Sequence, residues 1–212
     1  MPSEGSADRN ALRSWFAILA MSAAIGFICA AAQAQDVLQY HRTADRAGNY
    51  VMPGLTPERA SLMHLDQAFD GRVNGHVYAQ PLLTRAAGRE LLLVATENNA
   101  VDALDTGTGK IVWQKSLVKP VPLAMMPCGN INPLGITGTP VISQPRGAIY
   151  FDAMGLTQAG PQHLVFGLSV ADGSMLPGFP LDVRQALAAL GMHFTPADQG
   201  QRGALQIGRA HV

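Results

Sequence analysis

Charge is scarce in this sequence. Of 212 residues, 14% are Asp, Glu, Lys or Arg, and 15 basic side chains balance 15 acidic ones. An average soluble domain carries about 25%. The neutral balance leaves no basic footprint for nucleic acid and no charged tail. Cysteine is scarcer still, at two. Several catalytic signatures are missing as well. There is no Gly-x-Ser-x-Gly, no His-Glu-x-x-His, no P-loop and no Gly-x-Gly-x-x-Gly after a strand. That removes the serine-hydrolase elbow, the zincin site and the common phosphate cradles. His41, His64, His76, His163, His193 and His211 contain no pair at metal-ligand spacing.

Apolar residues and turn formers fill the space that charge leaves. Hydrophobic residues are 48%, with 22 Gly and 14 Pro, which excludes a disordered polar chain and predicts many turns. Residues 1–34 read as a secretory signal. Arg9 and Arg13 precede an apolar run from Trp15 to Ala32, and Ala32-Gln33-Ala34 is a small-x-small cleavage site. An uncleaved anchor is the rival reading, because the run is about 18 residues, the lower edge of a bilayer span. Its alanine content and cleavage site favour removal, and with it no stable membrane insertion. Cys29 lies within the signal, so the exported chain keeps one cysteine, Cys128, in an oxidising periplasmic or extracellular setting.

Beyond a lead-in over 35–75, the chain reads as all-β. Short apolar runs alternate with Gly, Pro, Asn and Asp. Strands are predicted at His76–Leu83, Leu91–Thr96, Ala100–Asp105 and Lys110–Lys115, joined by short turns into one antiparallel sheet. The pattern recurs at an offset of about sixty residues. Gly138-Thr139-Pro140-Val141-Ile142 parallels Ala79-Gln80-Pro81-Leu82-Leu83. Ala148–Ala153 and His163–Ser169 follow as the next two strands, and Met175-Leu176 stands where Ile111-Val112 stood. Such a period implies four-stranded blades in a radial array, a β-propeller. In the first blade Asp105 can accept from turn amides, Gly109 can supply a positive φ, and Trp113 offers a ring to cover the adjacent sheet. One helical patch is predicted, at Val183–Leu190.

The segment Ala103-Leu104-Asp105-Thr106-Gly107-Thr108-Gly109-Lys110-Ile111-Val112-Trp113 resembles the quinoprotein-type repeat of pyrroloquinoline-quinone-like propellers. The likeness extends to Tyr40-His41 with Arg46 and Gly48, to Val77-Tyr78-Ala79-Gln80-Pro81-Leu82, to Cys128–Pro133 with Gly135–Val141, and to Gln201–Leu205. The stretches from Cys128 onward are similar to those of a subgroup of secreted bacterial members. The second repeat departs from the pattern at Ser169 and at Leu176-Pro177-Gly178. The resemblance implies a structural role for Tyr78, Gln80, Pro81, Asp105, Gly109, Trp113, Gly138, Thr139 and Pro140. It also implies a ring of more blades than the two over 76–205, about four to eight in known propellers. Gln206–Val212 resembles a translated sequencing adapter, so the native sequence is expected to end near Leu205. A disulfide partner for Cys128 is then expected in a later part of the full protein.

Two functions are compatible with that resemblance. One is a non-catalytic scaffold that binds a protein on the propeller face. The other is part of a quinone-dependent dehydrogenase, whose pyrroloquinoline quinone and Ca²⁺ would lie in the full-length protein. A fragment without function is the third reading. Among carboxylates, Asp105 and Asp172 are read as turn caps and Asp102 as a solvated strand position. Glu97-Asn98-Asn99 is the cluster most like a calcium site, with a plain hairpin loop as the simpler reading. His76 and His163 are read as packed or hydrogen-bonded, and His41 as a structural contact. The present blades show no convincing ligand set, which favours the scaffold.

Overall fold

The computed structural model describes residues 35–52 and 54–208. The proposed signal and residues 209–212 of the tail lie outside the described residues. The chain forms two four-stranded antiparallel sheets, each in sequential order. The first holds β1 (Leu82–Ala86), β2 (Arg89–Ala95), β3 (Ala100–Asp105) and β4 (Ile111–Ser116). The second holds β5 (Val141–Ser143), β6 (Ala148–Thr157), β7 (Gly160–Ser169) and β8 (Leu181–Asp182). These are two blades of a propeller-type, all-β architecture. Two short helices accompany them, α1 (Pro57–Ser61) and α2 (Val183–Ala188). No helix among the described residues is long and apolar enough to cross a membrane.

Local chemistry sets the turns. Ala87 and Gly88 both have positive φ, 49° and 75°, the geometry of a tight two-residue hairpin between β1 and β2. Asp105 closes the β3–β4 turn. Its Oδ1 accepts from Gly107 N at 3.2 Å, Thr108 N at 3.0 Å and Thr108 Oγ1 at 2.8 Å. These bonds hold its carboxyl below the usual carboxylate range, the Thr108 hydroxyl most of all. Gly109 completes the turn at φ 72°. A Cβ there would lie 2.7 Å from the backbone of Asp70 and Gly71, so the lead-in can pass only over a glycine.

Strand alternation builds the core. Leu91, Leu93, Ala95, Val101 and Ala103 point from the first blade toward the second. Ile149, Phe151, Ala153, Leu164, Phe166 and Leu168 meet them from the second, and all belong to one buried cluster. Phe151 and Phe166, paired across β6 and β7, stack with ring centroids 5.7 Å apart. Trp113 bridges the blades. Its Nε1 donates to the Val170 carbonyl at 2.9 Å, and its ring lies against Gly173, where a Cβ would come within 2.6 Å. On the opposite face of the second blade, Phe179 lies over Gly167 beside Tyr150. The lead-in ties both inner strands together: Val37 exchanges hydrogen bonds with Leu83, and the Leu38 carbonyl accepts from Ile142 N.

Three sequence expectations are corrected. The first strand begins at Leu82, and none of residues 76–81 belongs to it. Pro81 has no N–H to give a ladder, and Gln80 N is taken by the Thr139 hydroxyl. The outer strand of the second blade lies at Leu181–Asp182, while Met175 makes a lone bridge to Leu168. Pro177 and Gly178 break the chain between them. Asp102 is not solvated. It is fully buried and accepts from Gln114 Nε2 at 2.6 Å. Burial pushes its carboxyl up, against the lowering effect of the Gln114 bond.

Candidate functional site

Four segments distant in sequence meet where the chain enters the two inner strands. They are the lead-in around Tyr40–Arg46, Tyr78–Pro81 before β1, Thr137–Pro140 before β5, and Gln201–Leu205 after β8. Side chains and backbone knit them together. His41 N donates to Gln80 Oε1 at 3.2 Å, and Gln80 N donates to Thr139 Oγ1 at 3.0 Å. His41 Nδ1 donates to the Arg46 carbonyl at 2.9 Å. Arg46 Nη2 reaches the Ala204 carbonyl at 2.9 Å. Leu205 N donates to the Thr139 carbonyl at 3.0 Å, and Thr137 Oγ1 to the Gln201 carbonyl at 2.9 Å. The Gln201 amide lies where a Cβ on Gly138 would stand. Pro140 is buried, and Pro81 is exposed at the start of its strand.

These segments enclose a cavity of about 460 Å³, lined among others by Tyr40, Arg46, Tyr78, Gln80, Thr139 and Arg202. The lining holds two guanidiniums and no carboxylate. Of the residues given a structural role from sequence, Tyr78, Gln80 and Thr139 line it, beside Tyr40, Arg46 and Arg202 from the resembling stretches. Asp105, Gly109 and Trp113 do not; they serve the turn and the contact between blades.

A second cavity, of about 350 Å³, lies against the second blade and is bordered by Asp152, His163, Phe194 and Gln199. Asp152 and His163 are both buried, at 7% and 4% exposure. His163 Nδ1 lies 2.7 Å from Asp152 Oδ2, and its Nε2 lies 3.2 Å from the Gln199 carbonyl. Both partners are acceptors, so the doubly protonated ring satisfies both bonds. Burial works against that charge. The Asp152 hydrogen bond, the Asp152 charge and the Gln199 carbonyl outweigh it and hold the His163 pKa above its usual value. The pair therefore clasps the Gln199 loop to β6 and β7. His76 makes another such contact among the described residues, with Nδ1 2.7 Å from Oε1 of buried Glu97.

The Glu97–Asn99 segment forms the β2–β3 hairpin loop. Asn99 Nδ2 donates to the Val118 and Met154 carbonyls, joining the blades. No group of three His, Cys, Asp or Glu residues that could hold a metal occurs among the described residues. Cys128 is an exposed thiol beside a third cavity, of about 240 Å³, that also touches Asp198 and Arg202.

Fold and site together define part of a propeller whose inner-strand approaches carry an arginine-lined cavity. No protein-family model matches the chain, and no curated protein does. Among solved structures it is similar to BamB from Moraxella catarrhalis, at 19% identity and a TM-score of 0.25. That match covers 57% of this chain and 43% of the BamB chain. The assignment of two blades rests on the sheets themselves.

Proposed function

We propose that the chain supplies blades to an exported, quinoprotein-like propeller that holds another protein and does not itself catalyse. One observation carries this reading. Along the lead-in, Val51, Met52, Leu62, Met63 and Leu65 stand in solvent at 65–79% exposure, and Tyr50 and Leu55 are exposed beside them. The short helix α1 within this stretch buries no residue. A run of large apolar side chains left in water marks a surface that another molecule covers. Three carboxylates are meanwhile bound into architecture: Asp105 in its turn, Asp102 on Gln114, and Asp152 with His163 in the loop clasp.

The rival reading, a quinone-dependent dehydrogenase, places its quinone and calcium in the rest of the full-length protein and not in the arginine-lined cavity. Pyrroloquinoline quinone with its calcium does not fit the donors there. Calcium needs several oxygen ligands with carboxylates among them, and the lining offers none.

The test places a photo-crosslinking residue at Met63 of the full chain in producing cells. A discrete adduct is expected, lost when Leu62 and Leu65 both become Asp. A purified chain that binds pyrroloquinoline quinone with calcium and then reduces a dye acceptor refutes the proposal. Export is checked by intact mass, with Gln35 as the first residue of the secreted form.

A further inference from the structure

We propose that the cavity between Arg46 and Arg202 receives a carboxylate side chain from an acidic segment of a partner protein. This inference rests on the scaffold reading and names the chemistry of what is held. The cavity is cationic without compensation. Arg46 and Arg202 line it with Tyr40, Tyr78, Gln80 and Thr139, and no Asp or Glu shares that lining. The nearest acidic residue in sequence, Asp45, is turned into its own loop, accepting from the Thr43 hydroxyl and Ala47 N. Asp198 borders the adjoining cavity that Arg202 also touches, yet neither arginine lies in an ion pair among the described residues.

Unspent donors also stand at the walls. Arg46 spends one N–H on the Ala204 carbonyl. Among the described residues the Arg202 guanidinium and both tyrosine hydroxyls donate to nothing. A planar guanidinium fork matches a carboxylate in two parallel hydrogen bonds. Thr139 and Gln80 are fixed by their own hydrogen bonds, so the floor is preorganised. Tyr78 stands half-exposed at the rim, a residue type suited to a surface that is apolar on one side and wet on the other. The volume, about 460 Å³, exceeds what a single small anion fills and accommodates an acidic side chain with its backbone.

The experiment is fluorescence anisotropy of the full chain with fluorescein-labelled hexaglutamate, using hexaglutamine as the control peptide. Hexaglutamate should bind, weaken as salt rises, and leave hexaglutamine unbound. Arg202→Ala should weaken it about tenfold, the usual scale for a lost charged hydrogen bond. Arg202→Lys should recover part of that loss. Arg202 makes no internal hydrogen bond among the described residues, so the alanine variant should melt like the parent. Arg46→Ala also frees Ala204 and is read only beside its melting curve. Unchanged binding by Arg202→Ala overturns the proposal, as does equal binding of hexaglutamine. Citrate or inorganic phosphate binding as tightly as the peptide also overturns it, by showing a site for free anions. Loss of peptide binding alone leaves the scaffold reading standing, because that reading falls to quinone binding with dye reduction.

Discussion

Trp113 and Gly173 offer a way to measure the contact between blades. Trp→Ala at a buried site costs about 3–5 kcal/mol. Trp113 is half-buried, so about 2 kcal/mol of that applies. Its Nε1 bond to the buried Val170 carbonyl adds about 1 kcal/mol, which brings Trp113→Ala to about 3 kcal/mol. Trp113→Phe keeps a ring over Gly173 and loses the bond, so about 1 kcal/mol is expected. Gly173→Ala carries two costs. Its φ of 70° strains any side chain by about 1 kcal/mol, and its Cβ would lie 2.6 Å from Trp113 Cε3, adding about 2 kcal/mol of overpacking. In the double variant the indole is gone and only the strain remains. The pair should therefore fall short of additivity by about 2 kcal/mol. Urea unfolding of the full chain, followed by circular dichroism, reads all four proteins without relying on the indole signal. Additivity within about 0.5 kcal/mol would mean that Trp113 does not rest on Gly173, and the blade contact described here would be wrong.

Other outcomes follow from the same geometry. Because the folded state raises the His163 pKa, its stabilising share is complete below the unfolded histidine value. That share is lost as pH rises through the folded value. Hydrogen exchange at Gln199 and its neighbours should quicken over that rise, and His163→Phe should remove the dependence. Gly135→Ala would drive a Cβ into the Glu97 carbonyl oxygen. Neither backbone can yield easily, so a loss of at least about 2 kcal/mol should appear in thermal melts. Cys128 should react with a thiol reagent in the native chain as fast as in urea, since it is exposed. Protection in the native chain would contradict its placement.

Turn chemistry made much of the fold legible. β3 falls at Ala100–Asp105 as the apolar run and the following Asp-Thr-Gly-Thr-Gly predict, because its signals are local. The strand expected at His76–Leu83 starts only at Leu82, because its apolar content hides two backbone facts, the missing N–H at Pro81 and the Gln80 amide spent on Thr139. Asp102 looked solvated because alternation alone does not reveal which faces of a sheet are covered; here both faces of β3 are buried. The Asp152–His163 pair was within reach. Once the β6–β7 hairpin turns at Gln158-Ala159, Asp152 sits opposite Val165, and His163 is its diagonal neighbour on the same face. The helix α1 also carried a readable signal, Thr56 as N-cap followed by Pro57. Arg46 and Arg202 both lie in stretches that carry the resemblance, but their meeting is not legible there, since only the folded chain brings the lead-in beside the segment after the second blade.

The strap formed by Val37 and Leu38 bears on the order in which the chain can fold. Val37 needs only the first blade, which emerges soon after it. Leu38 waits for Ile142, so its hydrogen bond closes a loop that contains the whole first blade. Such distant pairings form late, after the entropy of the intervening chain has been lost. A chain released segment by segment can thus complete one sheet and hold its own beginning ready as a template for the next. Anything that delays the second sheet leaves the Leu38 carbonyl unpaired and the Leu91, Leu93 and Ala103 face of the first sheet open to another molecule.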